Sequence, residues 1–243
     1  MPPSADLDAH VAHFWHVRWA LAEPFVVETL PHPSVHLVFE DGHSRRAEVA
    51  GVATARFTRQ LVGQGWVFGI KLRPAAFRPL WPSPISELTD RVLPIADVLG
   101  PDGDAFANEV FAAPDLDARI AVAESFLRAR LAPLPVQLAA LRDLVERMAT
   151  DRSLLRAEDA ATAAGSSLRA LQRQFRDAVG VSPKWVIQRY RLHEAAERLK
   201  GANPPSLAAL AADLGYSDQA HFARDFKATV GRTPSDFATA NRA

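Results

Sequence analysis

The stretch that decides the fold of the C-terminal half is Ser167-Leu-Arg-Ala-Leu-Gln-Arg-Gln-Phe-Arg-Asp-Ala-Val-Gly-Val-Ser-Pro183. Its apolar residues recur at i, i+3, i+7 and i+11, which predicts a helix with one buried face. A small-residue helix precedes it and ends at Gly165, where glycine allows a tight turn. Ser166 or Ser167 is suited to cap the second helix. The stretch therefore predicts a helix-turn-helix unit, with a buried stripe of Leu168, Leu171, Phe175 and Val179.

The same pattern occurs a second time downstream. From Leu171 onward the two copies are related by a constant offset of 51 residues. Each copy has a glycine turn, an apolar stripe and a closing Gly-x-x-Pro or Gly-x-Thr-Pro segment. An internal repeat of this kind predicts two helix-turn-helix units in one half of the chain. The matching pairs are Leu171 and Phe222, Arg173 and Arg224, Phe175 and Phe226, Gly180 and Gly231, and Pro183 and Pro234.

The face opposite each apolar stripe carries basic and amide side chains. Arginine donates two hydrogen bonds to guanine and glutamine pairs with adenine in the major groove. A solvated helix face is the alternative interpretation, but the repetition of basic residues at Arg173 and Arg224 favours DNA reading. The segment from Gly165 to Lys200 holds eight basic and three acidic residues, which favours attraction to phosphate. The second copy presents Gln219, Ala220, His221, Arg224 and Lys227.

A helix without a breaker is predicted from Pro183 to Lys200, between the two copies. At ~1.5 Å per residue it is roughly 25 Å long. With its flanking turns it could separate two recognition helices by about 34 Å, which is one turn of DNA. One chain could thus supply both reading helices.

The C-terminal half resembles the DNA-binding domain of AraC-type transcriptional regulators. The resemblance runs from near Val145 to Phe237 and is carried by four segments. These are Ser167-Leu-Arg-Ala-Leu-Gln-Arg-Gln-Phe-Arg, Gly180-Val-Ser-Pro, Gln188-Arg-Tyr-Arg-Leu-His-Glu-Ala and Leu214-Gly-Tyr-Ser-Asp-Gln-Ala-His-Phe-Ala-Arg-Asp-Phe-Lys. It implies a bacterial activator or repressor that binds double-stranded DNA and, if an activator, meets RNA polymerase.

The resemblance also implies roles for individual residues by motif position. Ala220 departs from the polar residue that many members carry there, so we expect less specificity from the second unit. Phosphate contacts are expected from Ser167, Arg176 and Lys227. Base reading is expected from Arg169, Gln172 and Arg173 in the first unit and from Gln219, His221 and Arg224 in the second.

Apolar residues in the N-terminal half are spaced differently from those in the C-terminal half. The chain as a whole is predicted to be α+β. Short runs rich in aromatic and β-branched residues predict a small antiparallel sheet or barrel before Arg73. Helical spacing follows over Asp104–Phe111 and Leu116–Leu131. The paired prolines of Ala132-Pro-Leu-Pro135 predict a linker. The expected domains are residues 1–131, a linker at 132–136, and 137–243. The predicted strands are Phe14–Trp19, Phe25–Glu28, Val35–Phe39, Glu48–Val52 and Trp66–Leu72.

Two segments of this half resemble the uncharacterised sensor-like domain found on some AraC-type members. They are Thr29-Leu-Pro-His-Pro-Ser-Val-His-Leu-Val-Phe-Glu and Phe68-Gly-Ile-Lys-Leu-Arg-Pro-Ala-Ala-Phe-Arg-Pro-Leu. The resemblance implies binding of a small-molecule effector, formation of a homodimer, or both. Aromatic residues could line the effector pocket or simply form the core of the sheet. The pocket candidates are Trp15, Arg18, Phe39, Trp66 and Lys71.

Histidines crowd the first 43 residues, where six of the eight are found. His32, His36 and Glu40 share one strand parity and are the candidates for a metal site, although ordinary core or surface histidines are the more common case. Such a site would support the competing hypothesis, a metal-dependent enzyme domain tethered to a DNA-binding domain. No catalytic constellation is recognised and no cofactor is expected.

Composition sets limits on the class of protein. The 243 residues are 48% hydrophobic and contain no cysteine, which excludes disulfides, cysteine nucleophiles and thiolate metal sites. The 28 Lys and Arg balance the 28 Asp and Glu overall, but residues 136–243 hold 16 basic against 12 acidic residues. No long apolar run or export signal is recognised, so a cytoplasmic globular protein without a membrane partner is expected.

Overall fold

A computed structural model describes residues 1–201 and 203–240. Its first part is an antiparallel β-sheet domain followed by helices, and its last part is helical, which confirms the predicted α+β class. The predicted end of the C-terminal domain, at residue 243, lies outside the described residues. The described strands are β1 (Val11–Ala20), β2 (Phe25–Thr29), β3 (His36–Asp41), β4 (Arg46–Ala50), β5 (Phe57–Leu61), β6 (Gln64–Leu72) and β7 (Val92–Pro94).

Five strands form one sheet in the order β1-β6-β3-β4-β7, and β2 pairs with β5 in a second, two-stranded sheet. All pairs are antiparallel, with a register shift in β1 between Val11 and His13. Side chains alternate between the two faces of a strand, so laterally paired residues share a face. One face of the large sheet is the core, with buried Phe14, Leu37, Phe39, Phe68 and Ile70.

Three helices follow this sheet: α1 (Ile95–Leu99), α2 (Pro101–Ala112) and α3 (Leu116–Arg130). They cover the core face through aromatic contacts. The Phe106 ring meets Phe39 edge-on at 5.0 Å between centroids and stacks on Phe126 at 3.9 Å. Asp115 caps α3 by accepting from the Ala118 amide. The helices therefore close the N-terminal core on one side and leave the other face of the sheet to different neighbours.

The C-terminal part consists of helices joined by short turns. Leu131–Pro135 has no regular structure, where the paired prolines predicted the linker. The exact domain limits stay a prediction. The helices are α4 (Val136–Thr150), α5 (Ala157–Ala163), α6 (Leu168–Ala178), α7 (Pro183–Leu199), α8 (Leu207–Asp213), α9 (Gln219–Val230) and α10 (Pro234–Ala240).

The hydrophobic clusters of the described residues cross between the two parts of the chain. Val52 and Ala75, from the N-terminal part, belong to the cluster around α4, α6 and the first half of α7. Leu30 packs against the separate cluster around the second half of α7, α8 and α9. The N-terminal domain is thus packed onto both helix-turn-helix units.

Two strands, β5 and β7, were not predicted from the sequence. β5 reads Phe-Thr-Arg-Gln-Leu, in which only Leu61 is buried, and β7 has three residues. Neither sequence contains the run of β-branched and aromatic residues that predicted the other strands. The predicted strand at Glu48–Val52 is shifted, since β4 ends at Ala50.

Candidate DNA-binding surface

The first recognition helix is α6, held by its apolar stripe and capped at its start. Leu171 and Phe175 of this helix are fully buried. Ser167 caps the helix, as predicted, with its hydroxyl oxygen accepting from the Ala170 amide at 3.3 Å. Gly165 precedes the helix with a φ of 60°, a conformation that glycine adopts without steric cost. The opposite face is exposed and carries Arg169, Gln172, Arg173, Gln174 and Arg176.

The second recognition helix, α9, is built on the same plan with different caps. Phe222 and Phe226 are fully buried. Asp218 stands where the first unit has Ser167, and its Oδ1 accepts from the His221 amide at 2.7 Å. That hydrogen bond, with another from Ser217, holds the pKa of Asp218 below its usual range. The exposed face carries Gln219, Ala220, His221, Arg224 and Lys227.

The basic side chains on these two faces are unpaired. Within the described residues none of Arg169, Arg173, Arg176, Arg224 and Lys227 makes a hydrogen bond or an ion pair. Several arginines elsewhere are paired with carboxylates; Arg46 and Arg59, for example, both bind Glu40. Exposed, unpaired cations on both helices leave the charge available to a polyanion.

His221 differs from the other predicted base-reading residues because its ring contacts two other side chains. Its Nε2 lies 3.4 Å from Asp225 Oδ2, and its ring meets Tyr216 edge-on at 5.3 Å. The ring is still exposed. The second unit therefore presents fewer free donors than the first.

α7 joins the two units as one continuous helix of 17 residues. At ~1.5 Å per residue its length is roughly 25 Å, as expected from the sequence. Its first half is buried in the cluster of the first unit through Val186 and Ile187. Its second half is buried in the cluster of the second unit through Leu192, Ala195 and Leu199. The apolar cores of the two units are thus packed on the two halves of one helix, and Asp225 of α9 also accepts a hydrogen bond from Gln188 of α7.

Two exposed cations near the recognition helices were not predicted. Lys184 follows the first Gly-x-x-Pro turn and Arg232 lies in the second, and neither makes a hydrogen bond or ion pair within the described residues. The repeated Gly180 and Gly231 turns are the sequence signal that could have identified them.

The five predicted pocket residues are not brought together. Phe39 and Trp66 belong to the core side of the sheet, and Arg18 pairs laterally with Trp66. Trp15 and Lys71 lie on the opposite face, where Trp15 covers Gly69 so closely that a Cβ there would stand 2.0 Å from its ring. A sheet separates the two groups, so they cannot line one cavity.

The face that carries Lys71 holds a cluster of histidines. Lys71 is laterally paired with His13 on β1 and His36 on β3. The His32 ring lies 4.2 Å from the His193 ring of α7, whose Nε2 is 2.9 Å from the Pro31 carbonyl. Burial, and then the Lys71 charge, lower the pKa values of His32 and His36 to about 3. Burial also lowers the pKa of Lys71 itself.

The predicted metal candidates do not form a site. Glu40 accepts hydrogen bonds from Arg46 and Arg59 at 2.8 and 2.7 Å. His36 Nδ1 accepts from the Trp15 indole at 3.3 Å. No group of three or more His, Asp or Glu side chains within residues 1–201 and 203–240 is arranged to hold a metal ion. The alternative of a metal-dependent enzyme domain therefore has no support from the described geometry.

Comparisons with known families match the two parts of the chain separately. Residues 160–240 match a family described as a helix-turn-helix domain, and residues 1–94 match a domain of unknown function, DUF6597. The comparison with curated proteins gives no match. The geometry and the first match define a DNA-binding protein with two helix-turn-helix units.

Solved structures similar to this chain include two AraC-type regulators. A probable AraC family transcriptional regulator from Rhodopseudomonas palustris CGA009 is 30% identical, over 43% of this chain and 98% of that chain, with a TM-score of 0.38. A regulator with an AraC-type DNA-binding domain from Chromobacterium violaceum is 26% identical, over 44% and 95%, with a TM-score of 0.40. ToxT from Vibrio cholerae covers 93% of this chain and 97% of its own at 12% identity, with a TM-score of 0.48.

The chain belongs to the AraC family of transcriptional regulators, which confirms the resemblance read from its motifs. It is a DNA-binding transcriptional regulator. Among the described helices, none is both long enough and apolar enough to cross a membrane.

Proposed function

We propose that the two recognition helices read two successive major-groove faces of one DNA duplex. In this reading Arg169, Gln172 and Arg173 contact bases from α6, and Gln219, His221 and Arg224 contact bases from α9. The observation that supports it is the pair of exposed, basic helix faces at equivalent positions of the repeat, on two units that are joined by α7. Hydrogen bonds from arginine and glutamine to base edges then provide the sequence specificity.

Phosphate contacts complete the proposed binding mode. Arg176 and Lys227 occupy equivalent exposed positions on the two helices, and Ser167 lies at the exposed start of α6. Lys184 and Arg232, in or beside the closing turns, extend the basic surface beyond the helices. Each neutralised phosphate releases counterions, so binding should weaken steeply with salt.

Selection from a pool of random duplexes tests this proposal. We expect the full chain, at near-physiological salt, to enrich two short motifs about 10 bp apart. Enrichment of a single motif would contradict reading by both units. Binding that enriches no sequence and disappears as salt rises would contradict sequence reading altogether.

The effector is proposed to be a small anion that binds beside Lys71. Lys71 is largely buried and has no carboxylate hydrogen-bonded to it within the described residues, while its close neighbours are the neutral rings of His13, His32, His36 and His193. A buried ammonium without a counter-charge is costly, so an anion in contact with it is stabilised. Because His193 belongs to α7, occupancy there would bear directly on the linking helix.

Inorganic phosphate is a suitable probe for this site. At constant ionic strength, replacing chloride by phosphate should raise the melting temperature of the full chain through binding to the folded state. The same exchange should not raise the melting temperature of Lys71→Met. It should raise that of the control Lys200→Met, an exposed lysine outside the proposed DNA-binding surface, by as much as that of the native chain. An equal shift in all three proteins would contradict a site at Lys71.

Self-association is proposed for the small sheet of β2 and β5. Its exposed apolar side chains Phe25, Val26 and Phe57, with Val62 beyond β5, are between 43% and 58% exposed. Burial of such side chains in a symmetric contact is favourable. Phe25→Ser should shift the full chain towards the monomer in sedimentation, and a native chain that is monomeric at all concentrations would contradict the proposal.

A further inference from the structure

The C-terminal end of each recognition helix contacts the N-terminal domain, at nearly equivalent positions of the repeat. Thr89 Oγ1 donates to the Gly180 carbonyl, just after α6, at 2.8 Å. Arg56 Nη1 donates to the Val230 carbonyl, at the end of α9, at 3.4 Å. The repeat offset relates Val179 to Val230, so the two contacted carbonyls differ by one position. Each helix is therefore tied at the end opposite its first reading residues.

The approach at both turns is close. A Cβ on Gly180 would stand 3.0 Å from Thr89 Oγ1 and from Ile85 Cγ2, and one on Gly231 would stand 2.5 Å from Arg56 Nη1. Both glycines have positive φ, 95° and 84°. Asp177, near the end of α6, adds an ion pair with Arg78 at 3.0 Å. The glycines thus permit contacts that any larger residue would obstruct.

The two contacting loops are bonded to each other. Asp90, next to Thr89, accepts from the Thr54 amide through Oδ1 and from the Thr54 hydroxyl through Oδ2, both at 2.6 Å. The Asp90 amide donates to Val52, and the Gly51 amide donates to Arg91, each at 3.0 Å. Residues 51–56 and 85–91 therefore form one braced unit, here called the bracket.

The bracket also holds the linking helix. The Thr54 carbonyl accepts from Arg189 Nη2 of α7 at 2.8 Å. Arg189 is only 6% exposed, and burial lowers its pKa to about 10. Its Nε and Nη1 have no hydrogen-bond partner within the described residues, and its guanidinium lies 4.7 Å from the Trp185 ring centroid. One carbonyl of the bracket thus anchors a buried cation midway along α7.

We propose that the bracket fixes the separation of the two recognition helices and thereby selects the spacing between the two half-sites. The apolar cores of the two units are separate clusters that share only α7. Arg152 also donates to the Asp213 carbonyl of the second unit at 3.1 Å. The bracket is a further connection in parallel with α7, and it alone of these contacts the ends of both recognition helices. This inference rests on the proposed reading of two half-sites by one chain.

Two measurements on the full chain test the bracket. Because the chain has no cysteine, Gln174→Cys on α6 and Ala228→Cys on α9 allow two spin labels at exposed positions. The double variant Arg56→Ala, Thr89→Val removes both helix-end contacts. The matched control is Arg45→Ala, Thr58→Val, which changes the same residue types at exposed positions that do not contact the C-terminal helices. We expect the interspin distance distribution to broaden in the bracket variant and to match the parent protein in the control.

The second measurement uses duplexes whose two selected motifs are moved apart by one base pair. We expect the parent protein to lose about tenfold in affinity and the bracket variant about threefold or less, with equal affinity for a duplex carrying one motif. A spacing penalty and a distance distribution that are unchanged in the bracket variant would overturn the bracket alone. If the parent protein gains nothing from a second motif, the proposed two-site reading fails and the bracket inference fails with it.

Discussion

The two helix-turn-helix units share a buried frame and differ on their exposed faces. Three buried residues of the first unit, Leu171, Phe175 and Val179, correspond to the buried residues Phe222, Phe226 and Val230 of the second. On the surface, Arg169 corresponds to Ala220, and Arg176 to Lys227. The packing that forms a helix-turn-helix unit restricts the inner residues to apolar ones, whereas outer residues are free to change with the DNA sequence that is read. We therefore expect the units to be equal in stability and unequal in reading.

The largest effects, on stability, are expected when the buried aromatic residues common to both units are replaced. Phe175→Ala and Phe226→Ala each remove a fully buried ring and should each lower the free energy of unfolding by about 3–5 kcal/mol. Urea denaturation of the full chain measures both losses. Values that differ widely between the two variants would show that the frames are not equivalent.

A smaller and unequal effect is expected at the reading positions. Arg173→Ala should cost about 1–3 kcal/mol of binding to the selected duplex, because arginine can donate twice to one base. Arg224→Ala should cost less, since the second unit lacks a counterpart of Arg169 and its His221 is engaged near Asp225. Titration of both variants against the same duplex checks the order. A greater loss in Arg224→Ala would reverse the assignment of the dominant unit.

Substitutions at the proposed phosphate-contacting residues should weaken DNA binding in the same way in both units. Arg176→Ala and Lys227→Ala should each reduce the salt slope of binding by about 1 and affect all DNA sequences alike. The dependence of affinity on salt concentration measures the slope. A variant that changes the preferred sequence while keeping the slope belongs among the base-reading residues.

Substitution of the helix-cap residues should have the smallest effect on stability, and the effect should depend on pH only in the second unit. Ser167→Ala should cost about 1 kcal/mol of stability, independent of pH. The folded-state pKa of Asp218 is depressed, so its cap is at full strength above the ordinary carboxyl pKa, about 4, and is lost as pH falls through the folded value. Asp218→Asn keeps a capping oxygen without a charge.

Melting temperatures measured down the acid range test this difference. The native chain should converge with Asp218→Asn as Asp218 becomes protonated, whereas Ser167→Ala should stay below the native chain by the same amount at every pH. A constant gap between native and Asp218→Asn at every pH would contradict an ionised cap.

How far the sequence predicts the molecule differs between its parts for a physical reason. The C-terminal units depend on local signals. The sequence offered Ser166 or Ser167 as the cap and Gly165 as the turn, and the structure has Ser167 and Gly165 in these roles. The sheet order depends on pairing between distant strands, for example β1 with β6, which no local pattern specifies. The alternation of side chains within one strand also did not show that Trp15 and Phe39 lie on opposite faces of the sheet, because they belong to different strands.

The bracket had no sequence signal at all. Thr54, Arg56, Thr89 and Asp90 lie in loops of the N-terminal domain without a recognisable motif, and their partners are more than 90 residues away or in another loop. Only the three-dimensional contacts reveal that these residues reach both recognition helices. Conversely, strand parity selected the metal candidates, but His32 lies before β3 and packs on His193, while His36 accepts from Trp15. Glu40 accepts from Arg46 and Arg59.

The central claim, that each unit reads its own half-site, is tested most directly by repeating the random-duplex selection with Arg173→Ala and with Arg224→Ala. The two-unit account predicts that each variant loses base preference in a different one of the two motifs and keeps it in the other. Loss of preference in the same motif for both variants, or an unchanged pair of motifs, would contradict it.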